Sequence, residues 1–261
     1  MATKDDRYAA AIFFNAVLPL VREIAERTSL KKAFANKSGV LQISATDEDK
    51  MWATHFVLED GVFTTKLGAA TDPDVELRFP NLAHFNAFFR GTTKKLPKIR
   101  GFTKLSLLVP FLRTLLKMQK LLGSDDIPAD EETKELMTRL YFYLLSSGIS
   151  QLNKQGHPAI VDWVKMSPNR IYAWSVDGHE DVAAHLRIQA GKSKAMRGPY
   201  TRSQPFFKMR FDSFDSALAI LLGKGDMIEM IASGQMILDG APEFGAKIGE
   251  YMLLVGSYAK A

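Results

Sequence analysis

The chain repeats itself, and this constrains its fold more than any other feature. Leu77-Arg78-Phe79 returns as Met209-Arg210-Phe211 and Gly91 returns as Gly223, both 132 residues on, while Gly101 returns as Gly240 after 139. Nearer the start, Asn36-Lys37-Ser38-Gly39 is echoed by Asn153-Lys154-Gln155-Gly156 and Asp60-Gly61 by Asp177-Gly178, both 117 residues apart. Each match alone is cheap. A collinear series whose gaps fall between elements is how a duplicated domain drifts. The 261 residues then hold two copies of about 120 residues, each the size of an ordinary independent domain. The polar, acidic segment Gly123–Asp130 reads as a linker followed by a helix start. It places copy 1 at residues 1–123 and copy 2 at 124–261.

In copy 1 the periodicity predicts a helix from Asp6 to Arg27, with Ile12, Phe13, Ala16, Leu20 and Ile24 on its apolar side and a kink or break at Pro19. Strands are expected at Val40–Ala45, Trp52–Leu58, Val62–Leu67 and Asp74–Phe79, with Asp60-Gly61 as a hairpin turn. Pro80-Asn81 opens a short helix carrying Leu82, Phe85, Phe88 and Phe89. A strand at Pro97–Arg100 follows and ends at Gly101. An amphipathic segment closes the copy from Phe102 to Leu122, with regular helix expected only from Pro110.

Copy 2 reads in the same order. A helix over Glu132–Leu152 precedes strands at Ile160–Met166, Arg170–Ser175, Val182–Gln189 and Phe206–Phe211. Ser213 is the expected N-cap of a helix bearing Phe214, Ala217, Leu218 and Leu221. A helical turn at Asp226–Ala232, a strand at Gln235–Leu238 and a last helix with Pro242 in its first turn complete the copy. Gly245 and Gly249, one helical turn apart, suggest that another backbone packs closely there. Hairpins imply an antiparallel-rich sheet, and helices covering one face make the class α+β.

Charge is as uneven as the sequence is repetitive. From Leu77 to Ser124 there are ten Lys and Arg and no Asp or Glu, in a chain whose net charge is +5. Such a stretch suits a surface that faces phosphate. Cysteine is absent, which removes disulfide scaffolds, cysteine nucleophiles and cysteine-ligated metal sites. No uninterrupted apolar run reaches the length needed to span a bilayer, Tyr8–Val21 being broken by Asn15 and Pro19. Lys4-Asp5-Asp6-Arg7 is a poor signal-peptide start, so a soluble cytoplasmic protein is expected.

The segment Phe207–Val255 resembles the sterol carrier protein type-2 family. The residues that carry the likeness are Phe211-Asp212-Ser213-Phe214, Leu221-Leu222-Gly223 and Met230 to Gly234 leading into Ile237-Leu238-Asp239-Gly240. Copy 1 keeps Phe79, Leu82, Gly91 and Gly101 but has Lys95 where Gly234 should align, and it is the more divergent copy. The resemblance implies two tandem domains, each with a five-stranded sheet, helices on one face and an apolar tunnel between them. It implies binding of sterols, fatty acids, acyl-CoA or phospholipids, usually without catalysis; from the residues themselves no cofactor and no metal is expected. The tunnel-lining set would be Phe85, Phe88 and Phe89 in copy 1. In copy 2 it would be Phe214, Leu218, Leu221, Met227, Met230 and Ile231, together with Tyr251, Met252 and Val255 on the last helix. Seventeen Phe and eleven Met suit a deformable apolar pocket.

Phe102–Leu122 carries a second expectation. Arg113, Lys117 and Lys120 lie on one side of a helix whose remaining surface is broadly apolar, the pattern of an element lying at a membrane interface. Lys94, Lys95, Lys98 and Arg100 just upstream would add attraction to anionic lipid or hold a headgroup.

Searches for chemistry return little. His179-Glu180-Asp181 with His185 is the densest group of ligand types, beside a turn. Gly191-Lys192-Ser193 lacks the leading glycine of a phosphate loop, Leu186 standing in its place. No nucleic-acid-binding motif is visible, so nucleic acid is not an expected partner. The alternative to a lipid carrier is an accessory protein whose basic, apolar helix binds a partner enzyme or membrane. An enzyme acting on acyl-CoA ranks third.

Overall fold

The computed structural model describes residues 2–259. They form two compact units, one of residues up to Leu121 together with the final turn from Ser257, the other of Leu122–Gly256.

Unit 1 runs α1 (Lys4–Ile12), α2 (Val21–Arg27), α3 (Leu30–Phe34), β1 (Gly39–Asp47), β2 (Lys50–Glu59), β3 (Val62–Leu67), β4 (Val75–Phe79), α4 (Leu82–Phe89), β5 (Lys98–Arg100) and α5 (Leu105–Leu122). Unit 2 runs α6 (Glu131–Lys154), α7 (Pro158–Met166), β6 (Arg170–Val176), β7 (Ala184–Gln189), β8 (Lys192–Arg197), β9 (Phe207–Phe211), α8 (Phe214–Leu221), α9 (Met227–Ala232), β10 (Met236–Asp239) and α10 (Pro242–Ala259). The two sheets have the same strand order, β3-β2-β1-β4-β5 and β8-β7-β6-β9-β10. In each, one pair is parallel, β1 with β4 and β6 with β9, and every other pair is antiparallel. The fold is α+β with two five-stranded mixed sheets.

Register matches the sheets residue by residue. His55 stands opposite Gln42 on β1, and its Nδ1 lies 2.7 Å from the Gly68 carbonyl oxygen. His185 stands opposite Ala173 on β6, with Nδ1 3.0 Å from the Gly198 oxygen. Gly68 N–H donates to Ala53 O at 2.8 Å and Gly198 N–H to Ala183 O at 2.7 Å. The β2–β3 turn at Asp60-Gly61 (φ 47° and 83°) corresponds to Ala190-Gly191 (φ 50° and 72°) between β7 and β8. Two expected landmarks therefore move. Asp177-Gly178 follows β6 and is not the counterpart of Asp60-Gly61, and Asn153–Gly156 ends α6, whereas Asn36–Gly39 leads into β1. The later landmarks keep their places, with Leu77-Arg78-Phe79 on β4 and Met209-Arg210-Phe211 on β9.

The start of unit 1 is a near-continuous helical path. Thr3 and Asp6 close a reciprocal capping box, with Asp6 N–H donating to Thr3 Oγ1 and Thr3 N–H to Asp6 Oδ2, each at 3.0 Å. Proline has no amide hydrogen to donate, and around Pro19 the path loosens into a π-turn at Phe13–Val17 and then tightens into a 3-10 turn at Leu18–Leu20. By length and composition Lys4–Arg27 could cross a bilayer, but 83% of its most apolar window is buried inside the protein. Phe14, on the π-turn, stacks on Phe85 of α4 with 4.0 Å between centroids and 2° between planes. Phe13, Phe79, Phe88 and Phe89 gather around that stack. Leu41, Ile43, Phe56 and Leu77 supply the buried sheet face beneath the helices.

In unit 2 the corresponding face carries Tyr172, Trp174, Val176, Phe207, Met209 and Phe211, all buried. Phe142 of α6 lies 6.2 Å from Phe211. A Cβ on Gly148 of α6 would stand 2.4 Å from Val255 of α10, and one on Gly245 of α10 would stand 3.0 Å from Phe207. The close neighbours of Gly245 are thus the side chains of Phe207 and Leu238 and not the expected second backbone, and Gly249 has nothing within 4 Å.

Three further expectations are corrected. Ile160–Met166 belongs to helix α7 and is not a strand, because Pro158 sits in its first turn and Ile160 and Val164 bury one helical face. β8 escaped notice because only Ser193 of its six residues is buried, leaving no apolar alternation to read. Helix α5 begins at Leu105 and not at Pro110.

Gly101 makes a strict backbone demand, since its φ is 81° and an added Cβ would come within 1.9 Å of Asp74 O. Gly101→Ala is expected to destabilise unit 1 by about 2–5 kcal/mol, combining left-handed strain with overpacking. Chemical denaturation of the full chain, followed by circular dichroism, checks this.

Candidate functional site

Helix α5 has two apolar faces. One carries Leu107, Leu108, Phe111, Leu115, Met118 and Leu121 and is buried. It is fixed by Phe111 against Phe56, 5.6 Å between centroids. Pro110 has no N–H to give to Ser106 O one turn back, and Lys37 Nζ takes that carbonyl instead at 2.8 Å. The proline thus becomes a point of attachment and not a helix start.

The other face is solvent-exposed and still apolar. Leu105 (59%), Val109 (41%) and Leu116 (64%) are exposed in one line, with half-buried Leu112 between them. Leu96 (75%) and Phe102 (63%) extend the apolar surface into the preceding segment. Arg113 and Lys120 are exposed along one flank of the line and Lys117 is half-buried beside them. Lys94, Lys95 and Lys98 are also exposed, and none of these six cations makes an ion pair among the described residues. Arg100 differs, with its Nη1 3.5 Å from Glu76 Oε2.

The expected tunnel residues fall into separate groups. Phe85 is fully buried in the Phe14 stack, and half-buried Phe88 and Phe89 join the same aromatic cluster. Phe214 and Leu218 are buried where α8 packs on α6, and Leu221 is half-buried. On α9, Met230 is buried with its sulfur over Gly225, Met227 is half-buried and Ile231 is 41% exposed. Tyr251, Met252 and Val255 line the buried side of α10. Tyr251 packs on Trp163 at 4.7 Å and donates to Ala159 O at 3.3 Å. A cavity of about 290 Å³ opens in unit 1 among Asp6, Thr46, Asp47, Glu48, Asn81 and Leu82. It is lined by none of these tunnel residues.

The ligand-rich stretch in unit 2 is taken up by structure. Asp181 pairs with Arg139, a fully buried arginine on α6 that also holds Glu135 at 2.8 Å. His179 packs on Phe214 at 4.4 Å.

A buried carboxylate that the sequence reading missed lies on the sheet face away from the helices. Glu76 on β4 is 3% exposed, and its Oε1 accepts from Ser44 Oγ at 2.6 Å and Gln42 Nε2 at 2.9 Å. Opposite it on β5 stands Arg100. In unit 2 the matching positions are Lys208 and Asp239, so the charges are exchanged. Only register reveals this, because the residues are scattered in sequence. Burial works to raise the Glu76 pKa, but the hydrogen bonds from Ser44 and Gln42 and the charge of Arg78 and Arg100 outweigh it and hold the group below 4.5. A carboxyl group depressed on folding stabilises the fold above its unfolded pKa, and this is lost as pH falls through the depressed value. Glu76→Gln is expected to lower the melting temperature at pH 7 and to flatten its decline below pH 4.5. Melting curves of both proteins across that range check this.

No protein-family model matches the sequence, and no curated protein matches it significantly. Among solved structures, the chain is similar to a crystal structure of sterol carrier protein 2, at 15% identity over 41% of this chain and 94% of that one, TM-score 0.32. It is similar to UbiJ-SCP2, a ubiquinone synthesis protein, at 14% identity over 43% of this chain and 96% of that one, TM-score 0.31. A sec-alkylsulfatase, Pisa1 from Pseudomonas sp., aligns at 14% identity over 54% of this chain and 27% of the enzyme, TM-score 0.26.

Proposed function

We propose that this chain is a non-catalytic lipid-binding protein that docks on anionic membranes through α5 and exchanges a hydrophobic ligand there. The observation that carries the reading is the exposed line Leu105, Val109 and Leu116 set among unpaired cations, on a helix whose opposite face is already anchored in the core. A core helix needs one apolar face, so the second calls for another apolar phase. Burying a leucine contributes about 1.5–3 kcal/mol, and each basic side chain near an anionic bilayer about 1 kcal/mol. Either term alone gives marginal attachment, but together they hold a protein reversibly. The cargo would be a sterol, fatty acid, acyl-CoA or phospholipid. It would be housed among the Phe- and Met-rich side chains between sheet and helices, where desolvation supplies the affinity.

The full chain is expected to co-sediment with vesicles of phosphatidylserine and phosphatidylcholine and only weakly with phosphatidylcholine alone. Leu105→Ser with Leu116→Ser should weaken that binding at least about tenfold without lowering the melting temperature, because both side chains are exposed. Lys117→Glu with Lys120→Glu should weaken it as well, and added salt should matter less to this variant. Equal sedimentation of wild type and variants with both vesicle types would sink the proposal.

A further inference from the structure

In unit 2 the Arg170 guanidinium, the Tyr172 hydroxyl and the Trp163 ring converge, and neither Arg170 Nε nor the Tyr172 O–H has an acceptor. Arg170 and Tyr172 are two residues apart on β6 and so share its helix-facing side. The Arg170 guanidinium lies over the Phe206 ring at 4.2 Å and the Phe244 ring at 4.9 Å. It makes no ion pair among the described residues, and its Nε is buried with no hydrogen-bond partner. Tyr172 is 1% exposed, and its hydroxyl is also buried and unpartnered. Burial raises the Tyr172 pKa, while the Arg170 guanidinium and the Trp163 side chain lower it, so the hydroxyl feels both as neighbouring donors. The Trp163 ring lies 5.3 Å from Tyr172 and 4.7 Å from Tyr251. Glu250, on the same helix as Phe244 and Tyr251, is taken by Lys247 at 2.7 Å.

A buried donor left without an acceptor is costly, and here two, Arg170 Nε and the Tyr172 hydroxyl, stand side by side. The aromatic rings close one side, and on the other Arg170 is half-buried and Phe206 exposed. An oxyanion supplies lone pairs enough to accept from the guanidinium, the phenol and the indole together. We propose that Arg170, Tyr172 and Trp163 form a binding site for a carboxylate or phosphate monoester, either free or as the head of an amphiphile whose chain lies along Phe206 and Phe244. The site is confined to unit 2 and is independent of the membrane-docking face of α5.

The test uses the full chain, titrated with dodecanoate, dodecyl phosphate, inorganic phosphate and dodecanol, read by tryptophan emission and calorimetry. At least one of the two dodecyl anions is expected to bind one per chain, with dodecanol at least about tenfold weaker. Arg170→Gln and Tyr172→Phe should each weaken the anion about tenfold or more. The second variant keeps the ring and its packing, so it carries the test if the first melts early. Saturable binding of inorganic phosphate that these substitutions abolish supports a site for free oxyanions. Its failure beside tight binding of a dodecyl anion supports an amphiphile's head. Absence of binding by all three anions, or unchanged affinity in both variants, overturns the proposal.

Discussion

The parallel pairing of β1 with β4, and of β6 with β9, is the constraint on which each unit depends. Antiparallel neighbours are joined by a hairpin, but a parallel neighbour requires the chain to cross the sheet. The chain leaves β3 through Gly68 and β8 through Gly198, both with positive φ, and returns as β4 and β9. In unit 1 this crossover closes over the polar side of β1, where Ala70 N–H donates to Gln42 Oε1 at 2.7 Å and Gln42 in turn donates to Glu76. The arrangement makes a buried carboxylate tolerable in the sheet. It also delivers β4 and β9 so that the helices after them begin at once, capped by Asn81 and Ser213.

Against that frame α5 is an element with a surplus. Its buried side fills the space left by the sheet, and Pro110, which should weaken a helix, recruits Lys37 from the segment before β1. Rigid attachment matters to the proposed docking. A line of leucines on a fraying helix would lose its order on meeting a bilayer, whereas one already held by Phe111 and Lys37 carries little further ordering cost.

Much of this was legible beforehand, for reasons that can be named. Helices with strong caps announced themselves, Ser213 ahead of α8 and Pro242 at the start of α10 among them, because cap chemistry is local. The basic, apolar character of Phe102–Leu122 could be read from spacing alone. What escaped depended on partners distant in sequence. Ile160–Met166 is a local exception, short enough to suit strand or helix until Pro158 in the first turn decides it. β8 is polar because one of its faces meets water. Glu76 looks like any strand-borne acid until register sets Gln42 and Arg100 beside it. The Arg170 site gave no signal, since aromatic side chains on β6, β9, α7 and α10 converge only after folding.

The exchanged charges on the two outer strands bear on how a chain with two like halves avoids confusing them. If β5 were to pair with β9 in place of β10, Arg100 would stand opposite Lys208. If β10 were to pair with β4, Asp239 would meet Glu76 beside the buried face. Like charges directly opposite each other across strands are destabilising, and tandem repeats are prone to such cross-assembly while they fold. The inversion gives each sheet a closing strand that only its own half can supply.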